Sequence, residues 1–199
     1  MELADLNEER SIPPVPPQPN VTGLDLSLTA TGVSDGRRCW LIQPGQLRGQ
    51  QRMQYLRREL TRHCQHADLI VVEGPAFAGP SRNKKKPPAM AHESAGWWWI
   101  ATHTLWRMGK PIAVVSPPDL KIYITGKGIA SKEDVRVHVD RRLRSVLVRD
   151  NNEADALVLA AMGYDWSGYP LIALPQTHRR ALAKVAWPEH WNTKEQPHG

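Results

Sequence analysis

Apolar residues in this chain fall into short runs closed by turns, and these runs are interleaved with longer stretches in which apolar positions recur every three or four residues. A two-residue period mixed with a 3.6-residue period predicts an α/β fold. The run Val21-Thr22-Gly23-Leu24-Asp25-Leu26 comes first, followed by a short strand near Gly32-Val33-Ser34, a turn at Asp35-Gly36 and a third strand, Cys39-Trp40-Leu41-Ile42. Asp-Gly between apolar runs is a hairpin signal, so the opening reads as an antiparallel meander. From Gln50 to Cys64, Met53, Leu56, Leu60 and Cys64 keep helical spacing, while Arg52, Arg57, Arg58 and Arg62 fall mostly elsewhere. This crossover helix returns the chain to a fourth strand at 69–73, expected to lie parallel to the first.

Residues 74–90 are rich in glycine and proline and form a polar loop. Ala91 to Met108 reads as a helix carrying Trp97, Trp98, Trp99 and Trp106. Consecutive helical residues point about 100° apart, so three adjacent tryptophans cannot share one core, and at least one is expected to meet a second surface. Ile112-Ala113-Val114-Val115 makes a fifth strand. A helix from Ser131 places Val135, Val139, Leu143 and Val146 on one stripe, and Ser131 with Asp134 supplies its capping box. A last helix, Asn152 to about Tyr164, is apolar nearly all round and should pack deeply. The expected organisation is a disordered acidic, proline-rich arm (1–19), one folded domain (20–165) and an extended tail (166–199) with one short helix around Arg179 to Val185.

Composition sharpens this picture. At 199 residues and 41% hydrophobic content the chain can bury one compact core. A formal net charge of +6 points to an anionic partner, and nucleic acid is the commonest for a soluble basic protein. Cys39 and Cys64 show no C-x-x-C spacing and read as free thiols of a reducing compartment. No apolar run approaches the roughly 20 residues of a membrane span, so a soluble, intracellular protein without membrane contact is expected.

Three carboxylates stand where apolar patterning would exclude them. Asp25 lies within the first apolar run. Glu73 ends Asp68-Leu69-Ile70-Val71-Val72-Glu73 before a Gly-Pro break, and Asp155 follows Asn151-Asn152-Glu153-Ala154 at the start of the last helix. An unpaired buried carboxylate costs several kcal/mol, so Asp25 should face a cation, a metal ion or a hydrogen-bond network. Blander readings exist at each place: Asp25 bonding the Ser27 to Thr31 turn, Glu73 solvating a strand end, and Asn152 with Asp155 capping a helix. Glu153 and Asp150 read as solvated charges near the helix dipole.

With these residues in this order, the chain resembles the RuvC family of Holliday-junction resolvases, among the ribonuclease H-like nucleases. The segment Pro117-Pro118-Asp119-Leu120-Lys121 through Gly126-Lys127-Gly128-Ile129-Ala130-Ser131-Lys132 is similar to the family's P-x-x-V-K…G-x-G-x-A-x-K region. The resemblance implies a five-stranded mixed sheet flanked by helices. It also implies a site in which Asp25, Glu73, Asp155 and Asn152 hold two Mg²⁺ ions, with Mn²⁺ as the alternative. Asn152 is a departure, since the family usually carries Asp or His there. Lys121, Lys127 and Lys132, together with Arg82, Lys84, Lys85 and Lys86 of the polar loop, are the implied DNA contacts. Phe77 matches, one residue late, an aromatic placed at the junction centre. The implied activity is paired nicking of four-way junctions and related branched DNA by a homodimer, in a bacterial cytoplasm or encoded by a virus acting there. Two rivals are a branched-DNA-binding module weak in catalysis because of Asn152, and an actin-like or sugar-kinase phosphotransferase. The phosphate loop of those phosphotransferases looks similar, but they need two such domains.

Overall fold

The structure, a computed structural model, describes residues 18–75 and 88–189. Its centre is a five-stranded mixed sheet in the order β3-β2-β1-β4-β5, built from β1 (Val21–Asp25), β2 (Thr31–Ser34), β3 (Cys39–Ile42), β4 (Leu69–Glu73) and β5 (Ile112–Val115). β1, β2 and β3 form the expected antiparallel meander, and β4 pairs in parallel with β1 and with β5. Each parallel step is made by a helix: α1 (Gly49–Cys64) between β3 and β4, and α2 (Pro88–Arg107) between β4 and β5. No helix among the described residues is long and apolar enough to cross a membrane.

Because side chains alternate across a strand, the sheet divides the core in two. Leu24, Ile70 and Val72 face α1 and α2, where Leu56, Leu60, Trp97, Ala101 and Leu105 complete one cluster. Val21, Leu69 and Val71 face the opposite side, where α3 (Pro117–Thr125), α4 (Lys132–Arg142) and α5 (Asn151–Trp166) pack. By the same alternation, Asp25 and Glu73 belong to the α5 side.

α5 lies against β1 and β2 without the usual layer of side chains between them. A Cβ on Gly23 would come to 2.1 Å from the Ala156 carbonyl oxygen and 2.4 Å from the Ala160 nitrogen, and one on Gly32 would come to 2.0 Å from the Asn152 carbonyl oxygen. Later in the helix, a Cβ on Gly163 would meet Val21 and Val71. Glycine on the strands and alanine or glycine on the helix therefore set the helix–sheet distance, and α5 is buried along nearly its whole length.

Three segments differ from the sequence expectation. Pro117–Thr125 is a helix rather than a connection: Ser116 caps it, its prolines sit in the first turn where no N–H is needed, and Gly126 in the left-handed region ends it. Arg52, expected off the apolar stripe, is buried because its guanidinium bonds the Leu47 carbonyl at 2.9 Å and Glu93 of α2 at 3.3 Å. After α5 the chain is docked through residue 189 rather than extended. Its short helix α6 (Gln176–Arg179) is set by Arg179 gripping Asp165, which also accepts from the Tyr123 hydroxyl, and His178 bonds the Tyr123 carbonyl. Trp187 stacks on Trp166 at 4.6 Å.

The close approach of α5 predicts a contrast between two Gly→Ala substitutions. Gly32→Ala should lower stability by roughly 3 kcal/mol or abolish folding, since the new carbon meets backbone that cannot retreat alone. Gly96→Ala, in α2 with open space around it, should raise stability by roughly 0.5–1 kcal/mol. Urea unfolding followed by circular dichroism measures both.

Candidate active site

The register of the sheet brings the carboxylates together. Leu24 pairs with Val72 in the parallel β1–β4 ladder, so Asp25 and Glu73, the next residues on each strand, stand side by side at the strand ends. Asp25 also pairs with Gly32 of β2, and Gly32 carries the Asn152 backbone on its face. The first turn of α5 is thereby held over Asp25, and Asp155 follows just beyond that turn.

Asp25 and Glu73 feel each other and the charge of Asp155. Asp25 and Glu73 share a hydrogen bond and titrate as a pair. Burial, foremost, and the negative charge of Asp155 push Asp25 up to about 7; burial, then the charges of Asp25 and Asp155, push Glu73 up to about 8. Burial raises Asp155 to about 6 against the pull of Lys132 and Lys121. Lys132 is the cation that lowers all three. Glu73 is further fixed through its backbone, because the Trp98 indole N–H donates to its carbonyl oxygen at 3.0 Å.

The set suits a hard divalent cation. All donors are carboxylate oxygens, they are desolvated, and their mutual repulsion is what a doubly charged ion would remove. Among the described residues no group of three or more His, Cys, Asp or Glu is gathered closely enough to enclose an ion; the contact pair is Asp25 with Glu73, and Asp155 acts on it through space.

The start of α5 corrects part of the sequence reading. Its cap is Asp150, which accepts from the Glu153 backbone N–H at 2.8 Å, so the cap lies two residues before Asn152. Glu153 is no solvated charge: it is 1% exposed and accepts from the Arg149 backbone N–H at 2.6 Å, with the Arg149 guanidinium at 3.4 Å. It is committed to the helix end and unavailable to the site. Asn152 donates its amide nitrogen to the Ala30 carbonyl at 2.8 Å, which leaves only its side-chain oxygen to face a cation. That bond also ties α5 to the β1–β2 turn. The Ser27 to Thr31 turn closes on itself, through Thr31, rather than on Asp25.

Of the implied DNA-contact residues, Lys121 projects from α3, Lys127 sits exposed in the glycine turn and Lys132 opens α4. Lys121 and Lys132 reach the carboxylates electrostatically. Phe77, Arg82, Lys84, Lys85 and Lys86 lie outside the described residues. Two structural residues escaped the sequence reading. Trp98 was visible only as part of a tryptophan run, and Asp150 only as a charge; neither carries a local signal of its partner.

The chain matches no protein-family model and no curated protein. Solved structures do match. The Thermus thermophilus RuvC structure superposes with a TM-score of 0.54 at 18% identity, and T. thermophilus RuvC in complex with Holliday junction substrate with a TM-score of 0.56 at 17% identity. Each match covers 75% of this chain and 96% of the other. The fold is therefore ribonuclease H-like. Within that class it is RuvC-like.

Titration of the site gives a test that needs no substrate. Carboxylates whose folded pKa lies above the unfolded value bind protons on folding, so their folded form is favoured below about pH 4 and disfavoured progressively as pH rises through about 6 to 8. Asp25→Asn removes one charge from the cluster. Its stability relative to the parent, both metal-free, should match near pH 4 and exceed it by about 2 kcal/mol at pH 8. Denaturant titrations across that range measure the gap, and added Mg²⁺ should narrow it by stabilising the parent.

Proposed function

We propose that this chain is a metal-dependent, structure-selective endodeoxyribonuclease that resolves four-way junctions and related branched DNA by paired nicks. The observation that carries the reading is the pairing of Asp25 and Glu73 at the ends of two parallel strands with Asp155 acting on them from α5, each acid raised by burial, Asp25 also by the charge of Asp155 and Glu73 by the charges of Asp25 and Asp155. Carboxylates buried against their own repulsion concentrate at functional sites. The RuvC-like fold and the net charge of +6 support DNA as the substrate.

In this reading Asp25, Glu73 and Asp155 hold two Mg²⁺ ions, with the Asn152 oxygen as a neutral fourth donor. When bound, such ions generate the attacking hydroxide and stabilise charge on the phosphate and the leaving oxygen. The Glu73 backbone is held in place by Trp98 and by the Gly74 N–H on the Val115 carbonyl, which fixes where its side chain leaves the strand. Lys121 and Lys132 offset part of the negative charge and offer phosphate contacts, with Lys127 beside them. Phe77, Arg82, Lys84, Lys85 and Lys86 are proposed as further DNA contacts from their place in the sequence.

Paired nicks on a two-fold symmetric junction need two sites related by the same symmetry, which supports a homodimer. α2 offers the surface. Trp97 is sunk in the core and Trp98 half-buried, but Trp99 and Trp106 are 69% and 64% exposed, with Ile100 beside them. A second reading, a junction-binding module with weak catalysis, is favoured by one observation: Asn152 brings no charge and its amide nitrogen is already engaged.

A synthetic four-way junction incubated with the protein and Mg²⁺ separates these readings. The parent should nick opposing strands symmetrically. Glu73→Gln should lose at least about a hundredfold in nicking while junction affinity stays nearly unchanged, because affinity comes from phosphate contacts. Binding without cleavage by the parent would leave the binding module. In size-exclusion chromatography, Trp99→Glu combined with Trp106→Glu should convert a dimer to a monomer, and the remaining nicks should become unpaired.

A further inference from the structure

Ile129 is 97% exposed, the least covered large apolar side chain among the described residues. It is held out by a built turn rather than by a loose one. The Gly126 N–H donates to the Ile122 carbonyl at 2.8 Å with Gly126 in the left-handed region, Thr125 brackets Lys127 through its hydroxyl, and the Ala130 N–H closes on the Lys127 carbonyl at 3.3 Å with Ala130 itself buried. The tip is flanked by Lys127 and Lys132. Three residues span at most about 10 Å, so Ile129 stands within that distance of Lys132, the cation that acts on all three carboxylates.

An apolar tip with a lysine on either side of it in the chain fits a polyanion that also presents apolar faces. DNA does so where its bases unstack, as at a branch point, and aliphatic side chains inserted there are a known way to hold such a step open. A protein partner fits less well, because a specific protein interface needs a contiguous patch of about 800 Å² a side and Ile129 stands apart between charges. We propose that Ile129 is an apolar wedge that packs against an unstacked base of branched DNA beside the phosphate the carboxylates address. This rests on the nuclease reading above.

The test uses a four-way junction carrying 2-aminopurine at the branch point, with the full-length protein. Binding of the parent should raise the fluorescence. Ile129→Ala, at a solvated position, should keep the parent's unfolding midpoint and salt dependence, bind the junction roughly tenfold more weakly and give no fluorescence rise. Ile129→Leu should restore both. Equal affinity and equal fluorescence for parent and Ile129→Ala would overturn the wedge and leave the nuclease reading standing, whereas a parent that fails to bind the junction overturns both. A changed oligomeric state in Ile129→Ala would assign the residue to a protein contact and overturn the wedge.

Discussion

The distance between α5 and the strands β1 and β2 governs the rest of the structure. With Gly23 and Gly32 on the sheet and Ala156 and Ala160 on the helix, backbone approaches backbone with no side chain between. One methyl group at either glycine would lift the helix. Asp155 rides just beyond the first turn of that helix, Asn152 bonds the Ala30 carbonyl across the gap, and the Asp150 cap with the buried Glu153 fixes where the helix begins. The spacing of the candidate site is thus inherited from a packing contact made by residues with almost no side chain.

That contact has an electrostatic consequence. It places three acids in a desolvated corner where the charge of Asp155 opposes the ionisation of Asp25 and Glu73, and the cations nearby, Lys132 and Lys121, offset this only in part. Elsewhere the described acids are settled by ordinary means: Glu153 by an N–H, Asp165 by a bidentate arginine, Asp134 by its own capping box. The contrast marks the cluster as a place where the fold tolerates destabilisation, and such places concentrate at functional sites.

The surroundings are stiff by comparison. Trp98 clamps the Glu73 carbonyl from the α2 side, Trp187 stacks on Trp166, and the Asp165, Tyr123 and Arg179 group ties the last segment to α3. α3 in turn ends at Gly126, where a Cβ would approach the His178 ring at 2.9 Å, and the basic turn starts there. The segment after α5 therefore braces the element that presents Lys127, Ile129 and Lys132.

Periodicity determined the five strands, their meander-then-crossover order and the buried stripe of α4, because alternation and 3.6-residue spacing are local and survive in one sequence. The misplaced acids Asp25, Glu73 and Asp155 were legible for the same reason: a charge inside an apolar run contradicts its neighbourhood wherever the chain folds. Tertiary structure alone decided what each polar group near them does. Nothing local distinguishes Glu153, buried on a backbone N–H, from Asp155, which faces the acids; the choice follows from which side of α5 meets β1. Arg52 was drawn inward by Glu93, distant in sequence, and the residues after α5 were docked by Asp165 and Tyr123 together with Ala181, Val185 and other apolar side chains scattered without helical or strand period. Long-range partners of this kind leave no period in the sequence, since only the sheet register and the glycine-set helix distance bring them together.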